Sequence, residues 1–184
     1  MQRFSIIISI FNTQKFVAKA IESAINQSYK NIEIICVDDC SEDKSADIAK
    51  EFAIKDSRIK ILQNPQNLGA FATRNIGALS AKSEYLLFLD ADDSLELNAC
   101  EKIHNAITAF SNALGGQIDI VAFNYAKRQS DSSKNLISCT HKTRFFQSKI
   151  LCYGLLKGAL ADILRYQIRH FYAPLTQNPC NIWI

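Results

Sequence analysis

The chain has 184 residues, 48% apolar and 21% charged, and its 21 Lys and Arg against 18 Asp and Glu leave a formal charge of only +3. That length can bury a real core in one domain or a little more, and the composition is that of a globular protein and not of a disordered one. With so mild a charge and no basic cluster, no nucleic-acid partner is expected.

The elements follow a repeating plan. The run FSIIISIF (4–11) is β-branched and continuous, the pattern of a strand covered on both faces, and Phe16, Val17, Ala20, Ile21, Ala24 and Ile25 then fall on one helical face. IEIICVD (32–38) is a second strand, followed by a helix over 43–54 with Ala46, Ala49, Phe52 and Ala53 inward. RIKIL (58–62) is a short third strand, and after the loop QNPQNLG a helix over 70–81 carries Ala72, Ile76 and Leu79 at helical spacing. EYLLFLD (84–90) is the next strand, then a helix near 95–113 with Cys100, Ile103, Ile107 and Phe110 in one stripe, then the strand IDIVAFNY (118–125). Such βα units imply an α/β fold, a mostly parallel sheet with helices on both faces. Past Tyr125 the character changes: 127–143 is polar and Ser-rich and reads as a loop, 146–168 has a helical pattern weakened by Gly154 and Gly158, and the tail HFYAPLTQNPCNIWI matches no complete element. The expected division is a core over 1–126 and an incomplete second segment over 127–184.

The six cysteines, at 36, 40, 100, 139, 152 and 180, contain no CxxC pair, and no histidine stands near Cys36 and Cys40 to complete a zinc site, so reduced thiols are expected. The apolar run at 6–11 is too short for a signal-peptide core, and Lys157 and Asp162 interrupt the best late membrane candidate. A cytoplasmic location is expected, with peripheral contact at the inner face of the membrane left open. His104, His141 and His170 are scattered, with His104 placed on the exposed edge of its helix, and none is assigned to catalysis.

The polar signals collect at one edge. Asn12 follows the first strand, Asp38 and Asp39 end the second, and Asp90, Asp92 and Asp93 end the strand at 84–90. Carboxyl ends of strands are where open α/β sheets bind ligands. Each has a plainer reading: Asp38 and Asp39 as caps of the helix after CSED, Asp93 or Ser94 as caps of the helix at 95. One shared site accounts for all of them together. Aspartates one residue apart can point the same way from an extended segment, and hard carboxylate oxygens suit Mn2+ or Mg2+, whose open positions substrate phosphates fill. A Walker A loop and GxGxxG are both missing, so the phosphate charge would be met by metal and not by a glycine cradle.

In this order FSIIISIFN, CVDDCSED, NLGAFATRNIGALSAKSEYLLFLDADD and DIVAFNY resemble successive blocks of the family 2 glycosyltransferases, inverting enzymes with the GT-A nucleotide-sugar fold. The chain departs from that pattern at Ser9, Ile10, Phe11 and Asn12, where the family often has Pro-x-Tyr-Asn, and at Cys40, where it often has Gly. The resemblance implies that Asp39 accepts hydrogen bonds from the uracil or another base, with Ser9, Phe11, Asn12 and Asp38 beside it. It implies that Asp90 and Asp92 are the metal motif, with Ala91 and Asp93 next to sugar or metal. Arg74 would approach phosphate or orient Asp90, unless it is a surface arginine, and Asn67 and Gly69 would shape a helix N-terminus that favours an anion. Asn75 and Gly77 read as packing. The implied reaction moves a sugar from a nucleoside-diphosphate donor to a glycan or lipid-linked acceptor hydroxyl with inversion, and a carboxylate base is needed as well. In the family that base follows a segment of the type Trp-Asn-Lys. NIWI stands in its place and Ile184 is the last residue, so a truncated transferase of little activity, or a nucleotide-sugar-binding remnant, is the matching expectation. Phosphoaspartate receivers and haloacid-dehalogenase-type phosphatases would need their acidic motif at the first strand, and a sugar-nucleotide pyrophosphorylase a Gly/Arg/Lys-rich loop there. The chain has neither.

Overall fold

The computed structural model describes residues 2–114, together with the short strands at 120–122, 144–146 and 182–183. In chain order the elements are β1 (Phe4–Ile10), α1 (Val17–Ile25), β2 (Ile32–Asp38), α2 (Ser45–Lys55), β3 (Ile59–Gln63), α3 (Ala70–Ser80), β4 (Tyr85–Asp90), α4 (Ala99–Leu114), β5 (Ile120–Ala122), β6 (Arg144–Phe146) and β7 (Ile182–Trp183). One sheet runs β3-β2-β1-β4-β7 with every pairing parallel, while β5 and β6 form a separate antiparallel pair. The central strand β1 is almost wholly buried, as a strand flanked on both edges and both faces should be.

Alternation along the strands sorts the core into two layers. Phe4, Ile6, Ile8 and Ile10 of β1, with Ile32, Ile34, Cys36, Leu87 and Leu89, face α1, α2 and α4 through Ala20, Ile21, Ala49, Cys100, Ile103 and Ile107. Ile7, Ile35, Val37 and Leu86 face the other way and meet Ala78 of α3. On that second side the helix lies close because it presents small residues, Thr73, Gly77 and Ala78, to the sheet. Leu79, expected inward, is instead 66% exposed. Ile76 does pack against this layer, but the spacing misleads at Leu79 because the closest contact is made by residues with little hydrophobicity to display. Gly77 behaves as packing, as its place in the sequence suggested: a Cβ there would stand 2.4 Å from Ile7 Cγ2 and 3.2 Å from Val37 Cγ2.

Other boundaries differ from the sequence pattern. The fourth helix starts at Ala99 and not near 95, because residues 95–98 are held in a non-helical path against α1. His104 is half-buried: its Nδ1 lies 2.6 Å from Gln2 Oε1 and its ring stacks, tilted, on Tyr29 at 4.8 Å. Phe146 is a strand residue where the pattern suggested the start of a helix, and Ile182 and Trp183 add a strand beside Tyr85 and Leu86 where no element was expected. The rest of the 127–143 and 146–168 readings, and the division at 126, lie outside the described residues. Among the described cysteines, Cys36, Cys40 and Cys100 are free thiols, and burial pushes those of Cys36 and Cys100 up to about 12, which makes them inert packing groups. No helix among the described residues is long and apolar enough to cross a membrane.

The close approach at Gly77 is testable. Gly77→Ala should lower stability by about 1–3 kcal/mol, since the branched Ile7 methyl sits in a packed layer and cannot swing aside. Urea denaturation with an unshifted midpoint would show that α3 can lift off the sheet freely.

Candidate functional site at the carboxyl edge of the sheet

Parallel register assembles the site. Ile10 pairs with Asp38 on one side and Ser9 with Asp90 on the other, so the loops that leave β1, β2 and β4 emerge side by side. All the acidic positions singled out in the sequence are therefore neighbours at one edge, together with Ser9, Phe11 and Asn12.

The first two loops are laced together. Asn12 adopts a positive φ of 51°, a conformation asparagine tolerates better than most residues, and its Oδ1 accepts from the Glu42 amide at 2.8 Å while its own amide donates to Ser41 Oγ at 3.1 Å. Gln14 and Asp43 repeat the exchange: the Gln14 amide donates to Asp43 Oδ2, and the Lys44 amide to Gln14 Oε1. The Thr13 amide donates to Ser45 Oγ at 2.8 Å, yet Thr13 Oγ1 is buried without a hydrogen-bond partner among the described residues. Asp43, which also accepts from the Ser45 amide and hydroxyl, holds the start of α2. Neither Asp38 nor Asp39 does. The Asp38 carboxylate lies at 3.4 Å from the Ser41 amide. Ser41, Asp43 and Ser45 belong to this network and sequence reading passed over them, although SEDKS after paired aspartates is itself a turn-and-helix-start pattern.

Asp39 is the pivot of the third loop. It is buried, and Oδ1 accepts from Asn64 Nδ2 and the Leu68 amide while Oδ2 accepts from the Gly69 amide, all at 2.8 Å. Burial pushes its carboxyl up, but the donors from Leu68, Asn64 and Gly69 outweigh it and hold the group below the usual range. The N-terminus of α3 thus does receive an anion, and that anion is Asp39. Gly69 makes this possible with φ 84°, which sets its N–H toward the carboxylate, and exposed Asn67 adds a second acceptor to the same N–H at 3.0 Å. Asn64, buried and also donating to Thr73 Oγ1 at 3.1 Å, is a member that gave no signal in the sequence.

The acidic turn completes the edge. Asp90 ends β4, the Asp93 amide donates to the Asp90 carbonyl at 3.0 Å, Ala91 is buried, and Asp92 and Asp93 are exposed. Arg74 of α3 pairs with Asp90 Oδ1, so of the roles open to it the structure displays the one against Asp90. Neither Asp93 nor Ser94 caps a helix. Partial desolvation and then the charges of Asp92 and Asp90 push the Asp93 carboxyl up. Three carboxylates against one guanidinium leave an excess of negative charge on the turn. Among the described residues no three His, Cys, Asp or Glu side chains converge as a ready-made metal cage, so a cation here would rest on one or two carboxylates and take its other ligands from elsewhere.

Comparison with known proteins agrees with this plan. The putative glycosyltransferase EpsH of Bacillus subtilis is 36% identical over 145 residues, which are 79% of this chain and 40% of that protein. WfaP of Escherichia coli, a UDP-Glc:alpha-D-GlcNAc-diphosphoundecaprenol beta-1,3-glucosyltransferase, is 45% identical over 93 residues, 50% of this chain and 36% of that one. The structure of S. aureus TarS in complex with UDP-GlcNAc matches with a TM-score of 0.54 at 29% identity, covering 65% of this chain and 33% of that one. The chain spans less than half the length of each, and the fold they share is the GT-A type of α/β fold. The glycosyl transferase family 2 model matches residues 5–158, and the chain belongs to that family.

Proposed function

We propose that this chain carries the donor-binding half of a sugar transferase that takes a nucleoside-diphosphate sugar, with uridine as the base, and passes the sugar with inversion to a hydroxyl of a glycan or lipid-linked saccharide. The observation that carries the reading is the register of β1, which sets the 9–14 loop, Asp38 and Asp39, and the acidic turn at one sheet edge. The UDP-GlcNAc complex of TarS and the UDP-Glc donor and diphosphoundecaprenol acceptor in the name of WfaP support it. An acceptor of that kind would bring the chain to the cytoplasmic face of a membrane.

The residues divide the work. Phe11, 44% exposed where β1 ends, offers a ring face to the base, and the Thr13 hydroxyl offers a buried group still lacking a partner. Asp39 accepts from Asn64 and the Leu68 and Gly69 amides, which fix its carboxylate at the sheet edge, and an N–H of the base would be a further donor to it. Asp90 and Asp92 would hold Mn2+ or Mg2+, which fits their hard oxygens and the excess negative charge of the turn. Bound there, the ion supplies stabilisation of the negative charge that develops on the leaving diphosphate. Arg74 keeps Asp90 aimed at the edge, and Asp93 lies beside the sugar.

UDP with Mn2+ at about 100 times its dissociation constant should stabilise the chain by about 2.7 kcal/mol, seen as a raised melting temperature. Asp92→Asn should abolish most of the part that needs the ion. An equal response in both proteins would remove Asp92 from the site.

Asp39 has a separate signature. Its folded-state carboxyl titrates below the unfolded one, so its stabilisation is complete above about pH 4 and fades as pH falls through the depressed folded value. Asp39→Asn should flatten that acid limb in denaturation measured against pH and weaken UDP binding by about 1–3 kcal/mol with or without metal. Calorimetry that gives parent affinity for the substituted chain would take Asp39 out of base recognition.

A further inference from the structure

The segment by which the chain leaves the acidic turn is bonded to a buried residue outside that turn. Gln27, just past the end of α1, is completely buried, and its side-chain amide is used at both ends. Nε2 donates to the Glu96 carbonyl at 2.7 Å and to the Ser23 carbonyl at 3.0 Å, and Oε1 accepts from the Cys100 amide at 3.0 Å. Around it, Ser23 Oγ accepts from the Leu95 amide at 3.0 Å, the Ser28 amide donates to the Leu97 carbonyl at 2.8 Å, and Ser28 Oγ donates to Glu101 at 2.7 Å. Residues 95–101 are therefore bound to 23–28 by a set of polar contacts, added to the apolar packing of Leu95 and Cys100 on the core, while Leu97 between them is 64% exposed.

We propose that Gln27 is a positioning residue for the donor site: by anchoring the 95–100 segment it fixes where Asp92 and Asp93 stand. This rests on the proposed function for what those carboxylates bind. The turn is tied at its start by the β1–β4 ladder at Ser9 and Asp90, and by Arg74. Its other end has no ladder. Between the two ties stand exposed side chains of one sign, whose repulsion would spread an unanchored turn and whose joint use of a cation needs them close. A Gln suits the task because one planar amide presents donor and acceptor in fixed geometry, satisfying a loop carbonyl and a first-turn N–H of α4 at once.

The test uses the full chain with Gln27→Leu, which removes donor and acceptor, and Ser23→Ala, which removes the acceptor for the Leu95 amide along with a bond internal to α1 to the Ala20 carbonyl, and guards against a Gln27 variant that does not fold. Amide hydrogen exchange should accelerate about tenfold or more at residues 91–101 in either variant, with β1 and β2 unchanged. In UDP titrations, the added affinity that MnCl2 confers should fall by about tenfold or more, while affinity in EDTA stays at the parent value. Exchange that is unchanged at 91–101, or faster throughout the sheet, overturns the proposal. So does local loosening with the manganese-dependent affinity intact, because the ligand then does not sense the clamp. A parent chain whose UDP affinity is indifferent to manganese removes the proposed metal role itself and leaves Gln27 a structural clamp only, which the exchange data would show independently.

Discussion

The hydrogen-bonded pairing of β1 with both β2 and β4 is the constraint on which the rest depends. A parallel ladder fixes register along its whole length, and a slip of one residue would turn every side chain of β1 to the opposite face. With Ile6 and Ile8 on one layer and Ile7 on the other, such a slip would exchange the partners of both cores at once. The same register sets Ile10 beside Asp38 and Ser9 beside Asp90. Apolar packing thus determines, at a distance, how far apart the carboxylates stand.

What the ladder brings together, polar contacts then separate into two environments. Asp39 is surrounded by N–H donors from the loop at 64–69 and holds its proton weakly. Asp93, a short way along the same edge, is partly desolvated and also faces the like charges of Asp92 and Asp90, and holds its proton more tightly. The first is a compensated anion and the second sits in an uncompensated field. An edge neutralised on one side and electronegative on the other is the arrangement that the proposed ligand, with a base at one end and a diphosphate at the other, would call for.

Much of this was legible in the sequence because buried parallel strands read as unbroken apolar runs, so β1, β2 and β4 and the acidic groups at their ends stood out. Residues whose roles need a partner far along the chain did not. Asn64 and Asp39 meet across 25 positions and Gln27 and Glu96 across 69, and nothing local to either partner announces the other. Helix α3 was placed correctly but turned wrongly at Leu79, because close packing on a sheet is made by Gly77 and Thr73, which carry no periodic apolar signal. His104 was read as an edge residue for want of knowing that Gln2 comes back to meet it. The two-residue β7 is shorter than any pattern can register, and it forms only because β4 presents an open edge.

The anchors share a physical logic. Asp39 and Gln27 are both buried, both spend their polar atoms on main-chain groups of a loop distant in sequence, and each loop adjoins the site. A loop held by apolar contacts alone can shift, since such contacts are non-directional. A loop held by hydrogen bonds from a buried side chain is costly to move, because the group left behind stays buried without water to replace its partner. Surface loops can be held still in this way without enlarging the core. The groups proposed to face the ligand, Phe11, the Thr13 hydroxyl, Asp92 and Asp93, are by contrast those the protein leaves with exposed or unsatisfied capacity. The same edge therefore separates residues that fix the site from residues that remain available to it.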